Sequence, residues 1–116
     1  MNYDLESRTK KFSIGIIDVC KKIKTTTLNR NLINQVIRSA TSIGANYREA
    51  NGASSKNDFR NKVFICKKEA QETEYWLDLC VHAEPEYSKE LQILREESRQ
   101  LTLIFGKIAG SVKDKV

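Results

Sequence analysis

The chain has 116 residues, 30% of them charged, with one proline, five glycines and a net charge of +5. That length suits one domain, residues 1–116, with a core of its own, and leaves no room for a catalytic domain beside a partner domain. Scarce proline and glycine with abundant charge exclude a disordered or all-β chain and predict an all-α protein.

No apolar run approaches the ~20 residues that span a bilayer, and the opening MNYDLESRTKKF lacks the apolar core of a signal peptide, so a cytoplasmic protein with no membrane partner is expected. Cys20, Cys66 and Cys80 form no Cys-x-x-Cys pair and are odd in number, which predicts reduced thiols. The charge is uneven. Residues 1–68 carry 14 Lys and Arg against 5 Asp and Glu (+9), and residues 69–116 carry 6 against 10 (−4). Such a split fits a polyanion-facing surface or two halves that attract each other, within a bundle or between subunits.

In chain order, Leu5, Thr9, Phe12, Ile16, Val19 and Ile23 recur at steps of four and three, the spacing of one helical face starting near Asp4. Thr25–Thr27 breaks the pattern, and either Thr27 or Asn29 can cap the next helix. That helix carries Ile33, Val36, Ala40, Ile43, Tyr47 and Ala50 and stops at Gly52. Ser55-Lys-Asn-Asp58 resembles a capping box and opens a third stripe, Phe59 to Cys80, which Glu84-Pro85 ends because the residue before proline leaves helical geometry. Ser88 is placed to cap a fourth helix with Leu91, Leu94, Ser98, Leu101, Phe105, Ile108 and Val112. Four helices of about 20–25 residues joined by short turns predict an up-down-up-down antiparallel four-helix bundle.

The second helix has another series beside its core stripe: Gln35, Ser39, Ser42, Asn46 and Glu49, small and polar, a third of a turn away. Helix three answers with Ile65, Glu69, Glu72, Trp76 and Leu79. These faces either pack together inside one bundle, with Arg38 or Arg48 pairing with Glu69 or Glu72, or they form a subunit interface of a homo-oligomer.

The segment Gln35-x-x-Arg38-Ser-Ala-x-Ser42-Ile-x-Ala-Asn46-x-x-Glu49-Ala-x-Gly52, with Lys68-Glu69-Ala-x-Glu72-Thr-Glu-Tyr-Trp76-Leu, resembles the four-helix proteins encoded in intervening sequences of bacterial 23S ribosomal RNA genes, once labelled S23 ribosomal proteins. The resemblance covers nearly the whole chain. It implies a non-enzymatic homopentamer, and it assigns Gln35, Arg38, Ser42, Asn46, Glu49, Glu69, Glu72 and Trp76 structural or interface roles. Related accessory proteins of diversity-generating retroelements share the ring and look like binders of nucleic acid and reverse transcriptase, so RNA, DNA or such a protein is an implied partner.

Catalytic chemistry is not visible in the sequence. His82 is the sole histidine, no Glu-x-x-His motif accompanies Glu69, Glu72 and Glu74, and there is no phosphate loop, so neither a metal nor another cofactor is expected. The functional signal is cationic. Arg8, Lys11, Gly15 and Lys22 fall at steps of three, four and seven, on a side expected to face away from the core, and Lys10, Lys21, Lys24 and Arg30 broaden the strip. Such a strip can contact successive phosphates, or it can be a solvated helix face. A nucleic-acid binder without sequence preference is the leading expectation, and a scaffold that shows repeated surfaces to a protein partner is the alternative.

Overall fold

The computed structural model describes residues 4–112, and these contain four α-helices and one short 3-10 turn, with no strand among the described residues. Helix α1 spans Leu5–Lys22, α2 Arg30–Asn51, α3 Lys56–Ala83 and α4 Ser88–Ser111, with the 3-10 turn Pro85–Tyr87 leading into α4. Lengths of 18, 22, 28 and 24 residues bracket the expected range.

The periodic stripes become the core. Ile16, Val36, Ile43, Leu77, Leu101 and Phe105 are fully buried, at least one from each helix. Burying a side chain of this size contributes about 1.5–3 kcal/mol, more than helix propensity can supply. Thr9 sits in the α1 stripe without penalty because its hydroxyl donates to the Leu5 carbonyl at 2.6 Å. Tyr47, half-buried, tilts against Phe105 with ring centroids 5.7 Å apart.

Neighbouring helices meet in an ordered series. Glu6 of α1 meets Asn51 of α2, and Ser13 meets Ala40. Ser39 of α2 meets Thr73 of α3, and Glu49 meets Lys62. Asp78 of α3 meets Arg95 of α4, and the Lys67 stem lies over Gly106. Packing is most extensive for α3 with α4 and for α2 with α3, and weakest between α1 and α4.

Local signals mostly hold, with three departures. Gly52 ends α2 and Ser55 caps α3 by accepting from the Asp58 amide at 3.0 Å. Ser88, by contrast, is the first residue of α4 and not its cap, because the Pro85–Tyr87 turn feeds directly into the helix; its hydroxyl accepts from Gln92 instead. Thr27 does not cap α2. Asn29 holds the cap position, but its side chain is turned back into the loop: Oδ1 accepts from the Thr26 amide at 2.7 Å, and Nδ2 donates to the Lys24 carbonyl at 2.9 Å and to Glu84 at 3.0 Å.

Candidate nucleic-acid interface

The cationic strip divides into two sets once α4 is in place. A helix turns ~100° per residue, so Arg8, Gly15 and Lys22 lie on the flank of α1 that borders α4 and do not face away from the core as expected. Arg8 donates to both carboxylate oxygens of Glu97, at 2.7 and 2.8 Å, and this hydrogen bonding raises the guanidinium pKa further. Lys22 donates to Glu90 at 2.7 Å and is raised for the same reason. A β-carbon on Gly15 would stand 3.2 Å from the Leu94 side chain. The sparse packing at this seam leaves a groove of about 700 Å³ with Phe12, Ile93 and Leu94 among its lining and Lys11 at its edge.

Lys10, Lys11, Lys21, Lys24 and Arg30 form the second set. All five are exposed, and none has a carboxylate within ion-pair distance among the described residues. Lys10 and Lys21 share the outer face of α1, eleven residues or about 16 Å apart. Lys24 and Arg30 flank the loop that Asn29 pins. Exposed Ile14 and Ile17 lie between the lysines of that face.

The polar series on α2 packs largely against α3 of the same chain. Ser39 is buried: its hydroxyl donates to the Gln35 carbonyl, and Thr73 Oγ1 lies 2.9 Å from it. Arg38 reaches Glu69 at 3.2 Å and also contacts Glu72, while its Nε donates to Gln35. Trp76 donates its indole N–H to Glu72 at 3.0 Å. Arg48 does not join this group; it approaches Glu6 of α1 at 3.8 Å. Ser42 and Asn46, half-exposed, bond to carbonyls of their own helix, and Glu49 is exposed and paired with Lys62.

Glu97 and Glu90, the partners that neutralise part of the strip, were not singled out from sequence. The one signal for them was the acidic second half of the chain, since Arg8, Lys22 and Arg38 of the first half all pair with carboxylates of the second.

The thiols are held protonated by burial, which pushes Cys20 up to about 11 and Cys66 and Cys80 each up to about 12. Native protein should therefore resist alkylation of Cys66 and Cys80 at pH 8, checked by mass spectrometry against denatured chain. A thiol whose folded pKa lies above its unfolded value gives its full contribution below about pH 9, and loses it as pH rises toward 12. Stability should fall over that window less steeply in a variant with Cys66 and Cys80 replaced by alanine.

These features define a class: a small all-α protein with, among the described residues, four α-helices, a partly neutralised basic face, no group of His, Cys, Asp and Glu placed to hold a metal, and no helix long and apolar enough to cross a membrane. Residues 2–106 match the family described as 23S rRNA-intervening sequence protein, and the chain belongs to that family. A crystal structure of a protein of unknown function from the S23 ribosomal protein family of Bacteroides thetaiotaomicron VPI-5482 is similar at a TM-score of 0.82 and 33% identity, over 91% of this chain and 98% of that one. Neither description names an enzymatic activity. No curated protein matches the chain.

Proposed function

We propose that this chain is a non-enzymatic, single-domain, up-down-up-down antiparallel four-helix bundle of the cytoplasm that assembles into a homopentameric ring and binds RNA or DNA without sequence preference. The topology is supported by the contact series, in which residue numbers fall on one helix as they rise on its neighbour, for all four adjacent pairs. Assembly rests on the family resemblance and on Ser42 and Asn46, half-exposed polar side chains that bond only to carbonyls of their own helix.

The observation that carries the binding reading is a set of five cations unpaired among the described residues: Lys10, Lys11 and Lys21 on α1, Lys24 in the loop after it and Arg30 at the start of α2. An ion-paired cation must give up its carboxylate to bind phosphate; an unpaired one releases only solvent and counterions. Charge reversal at Lys10, Lys11 and Lys21 should weaken binding of a structured RNA at least tenfold, and should flatten its salt dependence by about one unit of slope per lost phosphate contact. Fluorescence anisotropy over a salt series reads this, and light scattering checks that assembly is kept. Unchanged affinity, or no binding by the parent chain at low salt, overturns the proposal.

A second reading, a scaffold for a protein partner such as a reverse transcriptase, is favoured by Ile14 and Ile17, which place apolar surface among those lysines. Capture of one protein that survives nuclease treatment selects it.

A further inference from the structure

The outer face of α3 carries a stripe that neither the core nor the α1 surface uses. Phe64, Lys68, Gln71 and Tyr75 follow at steps of four, three and four, so they line one face of the helix over about 16 Å, and all four are exposed. Phe64 is 43% exposed and Tyr75 57%, unusual for large rings on a helix that buries six other side chains.

Each ring has a side-chain neighbour, Arg60 over one face of Phe64 and Trp76 against Tyr75. The Arg60 guanidinium lies 5.3 Å from the Phe64 centroid, within cation–π range, and Trp76 meets Tyr75 edge-on with centroids 5.2 Å apart. Trp76 is itself fixed by its hydrogen bond to Glu72. On the α4 side, the Lys67 stem lies across Gly106. Lys67, Lys68 and Lys107 have no carboxylate within ion-pair distance among the described residues, and Asp78 at the same seam is occupied by Arg95.

We propose that this α3 stripe is a stacking platform for unpaired bases, so that the nucleic acid the chain prefers is single-stranded. The exposed Tyr75 ring and the face of Phe64 opposite Arg60 can each take a stacked base, the Gln71 amide between them can reach a base edge, and neighbouring cations meet the phosphates. A duplex cannot use the rings, because its bases already stack on each other. This inference rests on the reading of the chain as a nucleic-acid binder, but it assigns a different surface.

The test uses the full chain with a short oligoadenylate carrying one 2-aminopurine, alone and as a duplex with oligouridylate. The parent chain should bind the single strand more tightly and change the 2-aminopurine emission by stacking. Phe64→Leu with Tyr75→Leu keeps apolar area but removes both rings, and should weaken single-strand binding about tenfold per ring while leaving duplex affinity unchanged. Circular dichroism verifies folding, and Lys68→Glu gives a second route to the same loss.

Single-strand affinity and emission that survive ring removal overturn the inference, and the α1 reading stands if duplex still binds. A change of oligomeric mass on ring removal assigns the stripe to contacts between copies and overturns it too. A parent chain that binds neither form overturns both readings.

Discussion

Replacing Phe105 with alanine is expected to lower the unfolding free energy by about 3–5 kcal/mol, a large share of the roughly 5–15 kcal/mol a domain of this size has. The ring is fully buried in α4 and touches Tyr47 of α2, so its removal opens a cavity beside these two helices that backbone movement cannot close without disturbing both. Urea unfolding followed by circular dichroism reads the loss as a lower midpoint at constant slope. Phe105→Leu, which keeps most of the volume, should cost well under half as much. Equal costs for the two variants would mean that the Tyr47 ring contact and not packing volume dominates.

Asn29→Ala is the second large effect, expected at about 2 kcal/mol despite its place in a loop. Asn29 is 4% exposed, and its amide satisfies three partners at once: the Thr26 amide, the Lys24 carbonyl and the Glu84 carboxylate. A hydrogen bond to a charged acceptor is worth about 1.5–3 kcal/mol, and losing it leaves the carboxylate short of a donor. Because Glu84 is the cap residue of α3, the bond ties the α1–α2 loop to the far end of the third helix. A double-mutant cycle with Glu84→Gln should show a coupling of about 1 kcal/mol; strict additivity would place the cost of Asn29→Ala in the loop alone. The same loop presents Lys24 and leads into Arg30, so under the function we propose loosening it should also weaken nucleic-acid binding.

The charge pattern shows how the two levels of description differ. Sequence spacing put Arg8, Lys11, Gly15 and Lys22 on one face of α1 correctly, but a face is defined only relative to what packs beside it. With α4 at that flank, Arg8 and Lys22 become partners of Glu97 and Glu90, while Lys11 on the same face stays unpaired, as do Lys10 and Lys21 on the outer face, Lys24 in the loop and Arg30 at the start of α2. The +9 and −4 halves had offered two accounts, a surface for polyanions or attraction between halves. Attraction between the halves accounts for Arg8, Lys22 and Arg38, and the polyanion surface is the role we propose for the cations left unpaired.

Four helices, their core stripes, the stop at Gly52 and the cap at Ser55 were legible in the sequence by itself, because helical periodicity, capping chemistry and proline geometry act within a few residues along the chain. Family membership was legible too, through Ser42, Asn46, Glu49 and the Trp76 segment. What only the tertiary structure decided is which side chains meet across helices: Asn29 as a buried tie and not a cap, Arg38 with Glu69 and Glu72 while Arg48 turns to Glu6, and Phe64 and Tyr75 left uncovered on α3. These depend on the rotation and offset of each helix against its neighbours, which the packing of the whole core sets and which no local spacing encodes.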